Sequence, residues 1–173
     1  WKGLIFITKL FIEFINDSID TVKFLANEFV DFATSFDFVN VAIEKTKSIY
    51  KNLNYIRSRI SKLIDNSDSS VKLDYDERNN WFIYCTHKRS NVLKERLNNL
   101  GDNNIHVKND DKKNIFTFKP SEFDFKKKDS SSMIIVLNSV KSLSSEVIDI
   151  QDKLVSLNRE KYKKTIEELY NEY

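Results

Sequence analysis

Glycine, proline and cysteine are almost missing from this 173-residue chain: it has two glycines, Gly3 and Gly101, one proline, Pro120, and one cysteine, Cys85. Two glycines that far apart exclude a phosphate-binding P-loop, whose backbone needs glycines in series followed by Lys and Ser or Thr. The chain is therefore not expected to be an ATPase by itself. A single cysteine excludes an internal disulfide and fits an intracellular, reducing compartment. Scarce glycine and proline suit long helices, whose interiors tolerate neither residue.

Long apolar runs are also missing. The opening "GLIFITKLFIEFI" is broken by Lys9 and Glu13 and falls short of the ~20 apolar residues a membrane span needs. It lacks the basic start and small-residue cleavage site of a signal peptide, so no membrane association is expected. It reads instead as core helix. The first residue is Trp1, from which the chain is expected to be a fragment of a longer protein. Formal charge is +2 with 31% charged residues, so any basic surface must be local.

What is present is periodicity. Residues 3–16 and 18–34 read as two Phe-rich amphipathic helices, the second capped by Asp17 or Ser18. From residue 37 a heptad pattern begins. Val39, Thr46, Leu53 and Ile60 form one row; Ala42, Ile49, Ile56 and Leu63 form the other. Such rows mark a coiled-coil seam. The pattern returns in Val140, Val147 and Leu154 beside Leu143, Ile150 and Leu157. It then slips phase to Tyr162, Ile166 and Leu169, as a stutter allows. Neither helix can hide its stripe alone, and pairing them antiparallel is the economical solution.

Between the two helices the period changes to two. Val71, Leu73 and Tyr75 alternate with polar residues, and Trp81 to Thr86 follow a turn-like "DERNN". "NIHVKN" and "NIFTFKP" form an expected hairpin with residues 110–113 at its tip. "FDF" or "MIIV" adds strand character, and residues 91–101 read as a short helix ended by Gly101. The expected fold is α+β: a long antiparallel two-helix stalk carrying a small, mostly β head, plus short N-terminal helices. The expected divisions are 1–36, 37–68, 69–136 and 137–173.

The head carries the candidate chemistry. Between residues 71 and 136 there are 13 Lys and Arg against 10 Asp and Glu, a small excess. Lys88 and Arg89 close the second strand in this reading, and Lys112 and Lys113 sit at the hairpin tip. Lys126, Lys127 and Lys128 run beside Ser130 and Ser131. Lys and Arg neutralise phosphates, and Ser hydroxyls donate to phosphate oxygens without reading sequence. The plainer reading of the same residues is a solvated face, since Asp110, Asp111, Asp124 and Asp129 lie among them. Cys85 and His87 would share a strand face, yet a closed zinc site takes about four ligands and the only other histidine is His106. The expected roles are a small buried residue for Cys85 and a polar strand residue for His87. Trp81 with Ile83, and Phe82 with Tyr84, fall on opposite faces, with core packing preferred over base stacking.

The wording of residues 71–97, "VKLDYDERNNWFIYCTHKRSNVLKERL", followed by a basic loop and "LSSEVIDIQDKLVSLNREKYKKTIEEL", resembles the lever-and-clamp region of MutS-family mismatch-repair proteins. Lys72 to Tyr75 match the family's first clamp strand; Trp81, Phe82, Thr86, Lys88 and Arg89 match its second. The Thr-x-Lys-Arg ending is most similar to the branch found in giant viruses and octocoral mitochondria. Asn80 stands where the family has glycine. The resemblance covers about residues 37–173. It implies a clamp gripping the backbone of duplex DNA, with ATP and magnesium only in an absent ATPase domain, dimerisation through absent domains, and no small-molecule substrate. A coiled-coil arm whose head binds another protein and an RNA-binding arm are the alternative readings, and an enzyme ranks last.

Overall fold

The computed structural model describes residues 38–171, the side chains of 161, 162, 165 and 168–171 aside. The two expected N-terminal helices and the side chains of the stutter residues Tyr162 and Leu169 lie outside what is described. The chain divides into two compact units, Trp1–Ile43 and Glu44–Tyr173. Of the first, residues 38–43 are described, as helix. All that follows concerns the second unit.

The architecture is α+β. Helix α1 continues to residue 65. Strands β1 (Lys72–Asp76) and β2 (Asn80–Thr86) form a hairpin, helix α2 (His87–Leu100) follows, and β3 (Ile105–Lys108) and β4 (Asn114–Phe118) form a second hairpin. A single 3-10 turn at Pro120–Glu122 leads to β5 (Asp124–Lys127), β6 (Ser132–Val136) and helix α3 (Asn138–Asn171). The four-stranded sheet is antiparallel throughout, in the order β1-β2-β6-β5, and β3-β4 stands as a separate two-stranded ribbon. Both alternatives carry strand: β5 takes Asp124 and Phe125 of "FDF", and β6 takes all of "MIIV".

Alternation sets the two faces of the sheet. Register aligns Leu73, Ile83, Ile135 and Phe125 in one row and Lys72, Tyr84, Ile134 and Lys126 in the next. The first row faces the helices: the Tyr50 ring of α1 meets Trp81 edge-on at 4.6 Å, and Lys94 of α2 lies 4.7 Å over Phe125. Ile83 and Ile135 are almost fully buried there.

Two links bring α1 and α3 together. Lys45 pairs with Glu146 at 2.7 Å. Further along α1, Tyr50 packs on Trp81, whose N–H donates to Ser144 Oγ at 2.9 Å. These links place α1 and α3 in contact beside the inner edge of the sheet. The rest of α1's buried row, Ile56, Ile60 and Ile64, runs on into the head. There Arg57 Nη1 donates to Val71 O at 3.2 Å and the Val71 N–H donates to the buried Ser61 Oγ at 2.9 Å. The heptad signal therefore combined two environments: contacts to α3 and Trp81 around Lys45 and Tyr50, and the sheet-bearing head from Arg57 onward. Apolar spacing reports which residues are covered, not what covers them.

Candidate nucleic-acid interface

Strand β2 stops at Thr86 because its side chain turns back to cap a helix. Thr86 Oγ1 accepts the Arg89 N–H at 3.4 Å, and α2 starts at His87. This corrects the expected second strand and the expected helix start: Lys88 and Arg89 occupy the first turn of α2, not a strand end. Cys85 and His87 then do not share a strand face. Cys85 is a core residue of β2, where burial pushes its thiol up to about 11, an unreactive value. Among the described residues, no group of three His, Cys, Asp or Glu is placed to hold a metal ion. The far end of α2 is as expected, closed by Gly101 at a positive φ of 57°, its N–H donating to Asn98 O at 3.2 Å.

The nine candidate residues fall in three places. The first is the end of the sheet where β2 finishes and β6 starts. The His87 N–H donates to Ser131 O at 3.0 Å, so the first turn of α2 abuts the β5–β6 turn. Lys88, Arg89, Lys127, Ser130 and Ser131 gather here. No acidic residue lies in α2's first turn, where the helix dipole is positive and cations are disfavoured. Arg89 reaches Asp65 at 3.8 Å; among the described residues Lys88 and Lys127 make no ion pair. Ser131 is engaged, its N–H and hydroxyl both donating to Asp129 Oδ1 at 2.7 and 2.9 Å. Those bonds hold the Asp129 carboxyl below the usual range.

The second place is the sheet face turned away from α1 and α2. Lys128 Nζ sits 3.1 Å from Asp74 Oδ2, 3.7 Å over the Tyr84 ring and 5.1 Å over Phe82. Lys126 reaches toward the β1–β2 turn, donating to Asn79 Oδ1 at 3.3 Å. The third place is the β3–β4 tip, where Lys112 takes a left-handed φ of 60° and Lys113 is exposed. This tip is tied to the middle of α1. Asp110 pairs with Lys51 at 2.7 Å, and its N–H donates to Tyr55 Oη at 3.3 Å. Lys51 lies ~20 Å down α1 from the Asp65 that meets Arg89, at 1.5 Å per residue. Lys112 and Lys113 thus stand well apart from Lys88 and Arg89.

Lys72, at the start of β1 and exposed, joins the first group through its register opposite Tyr84, two residues before Thr86. The sequence reading left it out, although strand parity and a hairpin register would have placed it. Comparison with protein-family models and with curated proteins returns no match.

Proposed function

We propose that the head binds the phosphate backbone of duplex DNA without reading sequence, through the end of the sheet where α2 begins. One observation carries this: two cations, Lys88 and Arg89, occupy the positive end of a 14-residue helix with no acid in its first turn. For Lys88, which has no ion-pair partner among the described residues, that arrangement is unfavourable in the isolated chain and favourable once a phosphate is placed against it, while Arg89 is already partly answered by Asp65 at 3.8 Å. Lys127 and Lys72 extend the positive edge, and Ser130 adds an exposed hydroxyl. Lys112 and Lys113 would touch a separate stretch of backbone or none.

The lever-and-clamp reading of a MutS-like protein is part of the same proposal. It rests on the wording of residues 71–97 and 143–169, and on one local agreement. Asn80, where the family has glycine, adopts a left-handed φ of 57°, which glycine takes without strain and Asn tolerates. In this reading α1 and α3 form a stalk. Leu154 and Leu157, half-buried on α3, continue its seam past the head. The chain would bind and transmit motion, with ATP hydrolysis left to other parts of a longer protein.

Titration of labelled duplex DNA at several salt concentrations tests the reading. Each phosphate neutralised steepens log K against log salt by about 0.9. Three contacts from Lys88, Arg89 and Lys127 predict a slope of roughly −2 to −3, and Lys88→Ala should flatten it by about one contact. Absent or salt-insensitive binding would favour an arm whose head engages another protein. Preference for structured RNA in competition would favour the RNA-binding arm.

A further inference from the structure

An open cleft of about 640 Å³ lies between α1 and the β3–β4 hairpin, away from the α2 end. Tyr55, Ser58, Arg59 and Lys62 line it from α1, His106 and Lys108 from β3. Its size is in the ~300–1,000 Å³ range of small-molecule sites. Arg59 Nε is shut off from solvent and has no hydrogen-bond partner among the described residues. The terminal nitrogens of the same guanidinium are not closed off and make no hydrogen bond among the described residues, so they are the donors that a ligand in the cleft can reach.

The neighbouring acids do not answer it. Asp110 at the rim is held by Lys51 at 2.7 Å. Asp68 takes Lys62 at 3.5 Å and the Ser58 hydroxyl at 2.5 Å. Among the described residues neither Arg59 nor Lys108 makes an ion pair, so each wall of the cleft keeps one unmatched cation. His106 is oriented from behind. With the Asn114 amide nitrogen donating to Val107 O and Phe116 O, its oxygen accepts from His106 Nδ1 at 3.2 Å. That fixes the ring and leaves Nε2 for another partner.

We infer that this cleft is a phosphate-binding site, with the Arg59 guanidinium and the Lys108 ammonium closing on the ligand from opposite walls. A guanidinium fork matches two oxygens of one phosphate, and Lys108 supplies a point charge for the same or an adjoining group. The site stands independently of DNA binding at the α2 end, because it shares no residue with it. The phosphate can come from a small free ester or diphosphate, or from a nucleic-acid backbone laid along the hairpin.

The experiment follows the Arg59 Nε–Hε resonance of the ¹⁵N-labelled chain, assigned by its loss in Arg59→Lys, during titration with sodium pyrophosphate at constant ionic strength. A saturable shift is expected, weakened about tenfold by Lys108→Met and unchanged by Lys88→Ala. Lys108 is exposed, so this variant should fold normally, and the rest of its spectrum checks that. No saturable movement of the Arg59 resonance, or equal affinity in Lys108→Met, would overturn the site. A short DNA duplex added to the pyrophosphate-loaded Lys88→Ala/Arg89→Ala variant identifies the source. Displacement assigns the site to backbone phosphate, and no displacement to a small free ligand; both outcomes keep the cleft as a phosphate site.

Discussion

The two faces of the four-stranded sheet come from the same strands in alternation, yet they are closed by different means. Leu73, Ile83, Ile135 and Phe125 share the inner face, where Tyr50 of α1 and Lys94 of α2 pack on it. Among the described residues no such pair of helices covers the outer face. The first turns of α3 reach only one end of it, where Val140, Lys141 and Ser144 line a cleft with Phe82, Ile134 and Val136. Elsewhere Lys128 lies across Phe82 and Tyr84 with its ammonium on Asp74. Phe82 and Ile134 are still 4% and 5% exposed, so a long cation's stem, with its neighbours, does part of the work a helix does on the other side. The lesson bears on function. A lysine in a basic run can be a structural element, with its charge already matched, and a count of cations does not separate the two kinds.

Removing the inner row should do the most damage. Ile83 is fully buried, and Ile83→Ala should cost about 2–5 kcal/mol, as large-to-small changes in closed cores do. The urea midpoint measures it, with an unchanged slope showing that the fold is retained. A loss under about 1 kcal/mol would mean the inner face can collapse around the gap, and the contrast between the faces would fail.

The outer face should respond less. Lys128→Ala removes both stem and charge and should cost about 1 kcal/mol; Lys128→Met, which keeps an apolar stem, should recover part of that. If the comparison is right, Lys128→Ala also leaves the salt dependence of DNA binding unchanged while Lys88→Ala flattens it. A slope that drops equally in both variants would return Lys128 to the binding surface.

These residues also show how far the sequence could be read. The strands were legible because Leu73, Tyr75, Trp81 and Ile83 alternate with residues that do not belong in a core facing the same way. The β3–β4 hairpin and the end of α2 at Gly101 were legible because turn chemistry is local. The start of α2 was not, since Thr86 can end a strand or cap a helix equally well and only its bond to the Arg89 N–H decides. The heptad rows of α1 gave the buried residues correctly from Ile49 to Ile60. They could not say that the later part of the row, around Arg57 and Ser61, belongs to the head. The candidate cations separated for the same reason: Lys112 and Lys88 are brought to different levels of α1 by Asp110 and Asp65, long-range pairings with no local signature. The cleft of Arg59 and Lys108 left no trace in spacing at all.

The smallest effect is the most specific to the outer face. Asp74 is held below the ordinary aspartate range, first by its hydrogen bond from Lys128 and then by the Tyr75 N–H at 2.9 Å. A depressed folded-state pKa means the contribution is present above the unfolded value. It is lost as pH falls through the folded one. Wild type should therefore exceed Asp74→Asn in stability by a margin that is constant near neutrality and closes in the acid range, below the usual aspartate pKa. Asparagine keeps an oxygen for the Tyr75 N–H, so the margin reports the charge. Because the Asp74 side chain is 46% exposed, solvent and salt screen the pair and the margin should shrink at high ionic strength. In the Lys128→Met background it should largely vanish, since the largest cause of the shift is gone. A margin that survives Lys128→Met, or that persists unchanged into strong acid, would locate Asp74's stabilisation elsewhere. The outer face would then be held by its rings alone.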